Sequence, residues 1–176
     1  MKPTAAHEAL FETWLQEHRG IVVKVARSFA PADADAADLQ QELWLQIWLS
    51  LPAFAGQAKP STWIYRVCLN TALSWRRGNA RRERHVDSGA DVAQLPSGLA
   101  SPADRLADRE VLAELYAGIR ALPDFDRALV LLSLDGLAYR EMAEITGLTE
   151  NHVGVALTRA RKRLAELMKG VTDELE

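Results

Sequence analysis

"YREMAEITGLTENHVGVALTRARKRL", Tyr139 to Leu164, is the stretch on which the reading of this chain turns. Two short helical patterns meet at Gly147. A helix-turn-helix needs a small residue where its helices touch, a glycine to turn, and a branched apolar residue inside the second helix. Ala143, Gly147 and Val153 stand in those places, with Leu148 to plug the turn and Thr149 to cap the second helix. Val153, Ala156, Leu157 and Ala160 are then needed inside, which puts Asn151, His152, Val155, Thr158, Arg159 and Lys162 on or near the exposed face. Asn, His and Arg hydrogen-bond base edges, whereas Arg161, Lys162 and Arg163 suit phosphates, so the pattern points to docking in a DNA major groove. A helical hairpin without a ligand is the plainer alternative, and the basic ending "RARKR" weighs against it.

Working outward, Leu106, Leu112, Leu115, Ile119 and Leu122 supply the buried stripe of a helix that Ser101 and Pro102 start and Pro123 stops. A shorter helix over Asp124 to Leu134 is closed by Gly136. Gly78 to Ser101 has no periodicity and is rich in Gly, Ser, Asp and charge, which marks a flexible linker and a domain boundary. Beyond it, Leu39, Leu43, Ile47 and Leu51 recur at helical spacing from Asp38, with Trp44 and Trp48 beside them, until Pro52 ends the helix. Ala6 to Phe29 reads as one or two helices broken near Gly20, with Leu10, Trp14, Ile21, Val25 and Phe29 available to a core. "PSTWIYRVCLNTALSWRRGNARR", Pro60 to Arg82, reads as a helix capped by Ser61 or Thr62 that runs through Ile64, Val67, Cys68, Thr71 and Trp75. No segment alternates convincingly as a strand. The expected fold class is all-α: two small helical bundles joined by a flexible linker, the C-terminal one independent and containing the helix-turn-helix.

With 176 residues, 48% hydrophobic and 26% charged, the chain suffices for one ordinary domain or two small ones. Its net charge of -3 argues against coating nucleic acid by charge alone. Yet Arg76, Arg77, Arg81, Arg82 and Arg84 form one basic cluster and Arg159, Arg161, Lys162 and Arg163 another, which suggests two separate, individually modest contacts. The longest apolar run, Ala128 to Leu134, is far short of a membrane span, and the first residues lack the apolar core of a signal peptide, so a cytoplasmic location without membrane contact is expected. Cys68 is the sole cysteine and the four histidines show no metal-ligand spacing, so neither disulfide, metal nor cofactor is expected. No Ser/His/Asp, Cys/His or phosphate-loop arrangement marks an enzyme.

"ADLQQELWLQIW", then "AFAGQAKPSTWIYRVCLNTALSWRR", then the helix-turn-helix ending "ALTRARKRL" closely resemble, in order, the bacterial sigma-70 family, specifically its small extracytoplasmic-function group. The resemblance implies that residues 1–80 are a region 2 domain that binds core RNA polymerase and melts the promoter at the minus-ten element. Residues 81–101 would be the linker, and residues 102–176 a region 4 domain that docks on the double-stranded minus-thirty-five element. It implies further that Asp38, Leu39, Gln41 and Glu42 meet the clamp helices of the polymerase's largest subunit, with the polymerase flap as a second contact. Phe54 and Gly56 match the loop that receives a flipped base. Trp63, Tyr65, Arg66 and Asn70 match the helix behind it, and Arg76 and Arg77 are placed to follow the phosphates of single-stranded DNA. Within that set Trp63 is favoured as core, and Arg66 and Asn70 as DNA contacts. An anti-sigma factor is the usual restraining partner in such a family.

The chain also departs from the pattern. Ala55, Gln57, Ala58 and Lys59 replace the usual residues of the flipped-base loop, and Gly154, Val155 and Ala156 stand where relatives place a basic residue and a serine. Close approach of DNA or of a neighbouring helix would account for a glycine in the middle of a helix, which costs about 1 kcal/mol in propensity. The alternative reading is a free-standing helix-turn-helix regulator whose first half senses a ligand or dimerises. Overall acidity disfavours solitary DNA binding and so speaks against it.

Overall fold

A computed structural model of the chain describes residues 4–83 and 104–172. The first bundle holds α1 (Ala5–Glu17), α2 (Arg19–Phe29), α3 (Asp33–Ser50), a single 3-10 turn (Leu51–Ala53) and α4 (Pro60–Glu83). The second holds α5 (Asp104–Ala121), α6 (Asp124–Leu134), α7 (Tyr139–Thr146) and α8 (Glu150–Thr172). Residues 84–101 of the expected linker and the Ser101–Pro102 helix start lie outside the described residues, as do the side chains of Arg81, Arg82, Arg84 and Leu106.

Two local expectations are corrected and a third is placed: the break expected near Gly20 falls at His18, with φ -114° and ψ 10°, and Gly20 itself sits inside α2. Burial holds the His18 imidazole below its usual pKa, against the opposing pull of Glu17. α3 begins before Asp38, because Ala36 extends the buried stripe toward its N-terminus. Neither Ser61 nor Thr62 caps α4: Pro60 already opens the helix, and Thr62 is buried. Proline suits the first turn because its missing N–H would have no helical partner there.

The first core follows from the spacing. Leu39, Leu43 and Ile47 of α3 pack with Val22, Val25 and Phe29 of α2 and with Ile64, Cys68 and Ala72 of α4. Burial pushes the Cys68 thiol pKa up, so this cysteine is inert packing. α6 is buried over six consecutive residues, Arg127 to Leu132. Within that run Ala128 to Leu132 are apolar on every side of the helix, which calls for enclosure on every side there. α8 covers one flank of α6 with Val153 and Leu157, and α2 of the other bundle covers another. Ile119, Leu122, Val130 and Ala160 make a smaller cluster between α5, α6 and α8.

The second bundle is therefore not independent in this structure: one apolar cluster runs from Trp14 to Leu157 across both. Polar contacts follow the same seam. Lys24 pairs with Asp135, Lys59 with Glu141 at 2.7 Å and Arg76 with Asp124 at 2.8 Å. Arg120 donates to the Arg27 carbonyl at 3.3 Å. The guanidinium of Arg127 lies 5.1 Å from the centroid of the Phe29 ring, and that side chain is only 2% exposed. It donates to the carbonyls of Ile119 (3.2 Å), Arg120 and Leu122 (2.9 Å), the acceptors left open where α5 ends.

Candidate polymerase and nucleic-acid interfaces

α3 turns its core stripe inward and leaves the opposite face outward. At 3.6 residues per turn, Asp38, Gln41, Glu42, Leu45 and Leu49 share that outer face. Asp38 and Gln41 are exposed, and Glu42 is half-buried and accepts from Gln46 at 2.9 Å. Leu39 is wholly buried, so its expected contact with a partner is corrected: it anchors the helix from behind. Sequence reading missed Leu45 and Leu49, which are 48% and 58% exposed in the middle of the polar face. Their i, i+4 spacing, out of step with Leu39, Leu43 and Ile47, was the available signal. Exposed leucines one turn apart beside carboxylates have the composition of an interface core with a polar rim.

On α4, the expected minus-ten residues divide. Tyr65 is 2% exposed and belongs to the core, a second correction, and its buried hydroxyl has no hydrogen-bond partner among the described residues. Trp63 and Phe54 close an aromatic triangle on Trp14, with ring centroids 5.0 to 5.5 Å apart. They fix the base of the loop, which agrees with core as the favoured role of Trp63. Gly56, exposed with φ 69°, makes the turn above them. Arg66, Asn70 and Arg77 are exposed on the outer side of α4. Asn70 also shares a groove of about 680 Å³ with Asp38, Glu42 and Gln46, so the expected polymerase and DNA residues adjoin there. All three arginines are engaged: Arg66 donates to the Glu144 carbonyl of α7 at 2.6 Å, Arg76 pairs with Asp124, and Arg77 donates to Ser74 of its own helix at 3.1 Å. Close by, the Glu141 carboxyl is held below its usual pKa by the hydrogen bond from Lys59 and then by the Ala138 N–H.

α7, the Gly147 turn and α8 form the helix-turn-helix. Gly147 sits at φ 75°, a left-handed conformation that favours glycine, and Thr149 Oγ1 accepts from the His152 N–H at 3.3 Å. Val153, Ala156, Leu157 and Ala160 are buried, whereas Asn151, His152, Val155, Thr158, Arg159 and Lys162 are all exposed on one face. Arg161 and Arg163 depart from the expected phosphate role: Arg161 donates to Ser133 at 2.6 Å and Arg163 pairs with Asp126, both on α6. Arg159 and Lys162 have no ion pair among the described residues, so their charge faces outward. Gly154 has a neighbouring-helix explanation, since a Cβ there would stand 3.2 Å from the Tyr139 ring. Tyr139 was absent from the sequence-based site, and the misplaced glycine was its only trace.

Comparison with known proteins adds a second line. Residues 14–82 match the Sigma-70 region 2 family and residues 112–164 the Sigma-70 region 4 family. The ECF RNA polymerase sigma-E factor of Escherichia coli K12 is 29% identical over 150 residues, covering 81% of this chain and 78% of the relative. The RNA polymerase sigma factor NccH of Alcaligenes xylosoxydans is 28% identical over 163 residues, covering 90% and 87%. Among solved structures, CnrH in complex with the cytosolic domain of CnrY aligns with a TM-score of 0.66 at 21% identity, over 93% of this chain and 90% of that one. Sigma factor RpoE of Bartonella quintana, in complex with the anti-sigma factor NepR, aligns at 0.68 and 23%, over 90% and 96%. The free-standing regulator is thereby disfavoured. With both regions matched in the family's order over an all-helical fold, this chain belongs to the bacterial sigma-70 family, in its extracytoplasmic-function group.

Proposed function

We propose that this sigma factor divides its work among three faces. Asp38, Gln41, Glu42, Leu45 and Leu49 on α3 dock on the clamp helices of core RNA polymerase. Arg66, Asn70, Arg76 and Arg77, with the Gly56 loop, hold the separated minus-ten strand. Asn151, His152, Val155, Thr158, Arg159 and Lys162 on α8 enter the major groove at minus thirty-five. The domains are taken as residues 1–80 and 102–176, joined by 81–101, of which 81–83 still continue α4. The observation that carries this reading is the sorting of α8, in which every proposed DNA-facing position is exposed and every intervening core position is buried.

The chain works by binding energy, without bond chemistry, and in the cytoplasm, where polymerase and promoter are; among the described residues no helix is long and apolar enough to cross a membrane. Engagement of both promoter elements requires the seam to open. The elements lie about 25 base pairs apart, or roughly 85 Å of duplex at ~3.4 Å per step. A compact chain of this length has a radius of gyration of about 16 Å. Arg66 and Arg76, held by α7 and α6 when closed, are freed by the same movement. An anti-sigma factor, as in the Bartonella complex, would restrain this factor by holding that movement back. Reconstituted transcription with purified core enzyme on a promoter library tests the reading. Templated initiation is expected, with Asn70→Ala and Arg66→Ala lowering the permanganate footprint of the open complex while core binding persists. Absence of any affinity for core enzyme overturns it.

A further inference from the structure

The departures in α8 leave an apolar hollow in the face assigned to DNA. Gly154 has no side chain, and the Tyr139 ring lies against it. Val155 beside it is 53% exposed and Tyr139 44%. Thr158 donates its hydroxyl to the Gly154 carbonyl at 2.8 Å, so its single donor is already used. With Glu150 and Asn151 these residues line a concavity of about 410 Å³.

The chemistry of the hollow selects its occupant. A phosphate finds no cationic side chain in the lining and meets the Glu150 carboxylate at its rim, with neutral donors on Tyr139 and Asn151 alone besides the committed Thr158 hydroxyl. The major-groove edge of DNA carries one apolar group, the 5-methyl of thymine, and apolar side chains are its partners there. Asn151, on the same rim, offers a carboxamide able to pair with adenine N6 and N7, so floor and rim suit a step containing A·T. The exposed charges of Arg159 and Lys162 on this face draw in the duplex. We infer that the hollow made by Tyr139, Gly154 and Val155 receives the 5-methyl group of a thymine in the minus-thirty-five element, which makes Val155 a specificity-determining residue. The inference rests on the reading of α8 as the minus-thirty-five helix.

In the test, holoenzyme assembled from the full chain and core polymerase first selects duplexes from a pool randomised upstream of the start site. Each thymine of the selected upstream element is then replaced by uracil, which lacks only the methyl group. At one or two positions affinity should fall about fourfold, the equivalent of the ~0.8 kcal/mol carried by one buried methyl-sized group. Val155→Ala should bind uracil and thymine nearly alike at that position, and Tyr139→Phe should keep the preference, because the ring and not the hydroxyl forms the hollow. Equal binding of uracil and thymine at every position overturns the inference and leaves minus-thirty-five recognition standing, as does a preference that Val155→Ala leaves intact. A holoenzyme that selects no upstream element overturns the underlying reading of α8.

Discussion

Replacing Arg127 by methionine should destabilise the protein by about 3 kcal/mol. Methionine preserves most of the side-chain volume, so packing loss is small and the polar ledger decides. The carbonyls of Ile119, Arg120 and Leu122 lose their donor. At 2% exposure of Arg127, water does not readily replace it there. Hydrogen bonds to a charged donor are worth roughly 1.5–3 kcal/mol each, and a desolvated cation over an aromatic ring about 2. Against these stands the relief of no longer burying a guanidinium, several kcal/mol. Asp124, 3.6 Å away and 38% exposed, keeps its own water and adds little. The balance of about 3 kcal/mol corresponds to a fall in Tm of roughly 6–12 °C for a chain of this size. Urea titration followed by far-UV circular dichroism measures it. Arg127→Lys, which keeps the charge but not the planar fork, should lie between. A methionine variant within about 1 kcal/mol of the parent would show that the α5 carbonyls find other partners, and the account of this residue as the clasp of α5 would be wrong.

Other expectations concern the interfaces. Leu45→Asp with Leu49→Asp should abolish co-purification with core polymerase while changing stability by no more than about 0.5 kcal/mol per site, since both side chains are exposed; undiminished co-purification removes them from the interface. Glu141→Gln should loosen α7 from α4 and release Arg66, which strengthens binding of a labelled single-stranded minus-ten oligonucleotide to the free factor. Because the folded-state pKa of Glu141 is depressed, its contribution is full at neutral pH and is lost as acid carries the solution down through that lowered value. The parent should therefore gain oligonucleotide affinity on acidification more than the glutamine variant does, and identical pH profiles count against the latch. Gly154→Ala should raise thermal stability by up to about 1 kcal/mol through helix propensity, because the half-exposed Tyr139 ring can yield the few tenths of an ångström required. A clear loss of stability would mean that the ring is fixed.

Patterns that depend on near neighbours could be read from the chain directly. The all-helical class, the bundle stripes and the helix-turn-helix follow from the 3.6-residue spacing of Leu39, Leu43 and Ile47 and from Gly147 between two short amphipathic segments, because helical hydrogen bonds and stripes are made within a few residues. Family membership was legible for the same reason, since its motifs are contiguous. Which polar residue meets which was not legible. Arg66 with Glu144, Lys59 with Glu141, Arg161 with Ser133 and Arg127 across from Phe29 join positions far apart in sequence, and no local periodicity encodes such pairs. Spacing set Leu45 and Leu49 out of step with Leu39, Leu43 and Ile47, but it did not say which stripe is the inner one, because α3 carries apolar residues on both faces and only packing against α2 and α4 chooses. The closed seam has the same origin: the central run of α6, Ala128 to Leu132, is apolar on all sides, and its enclosure requires a surface that the other bundle supplies.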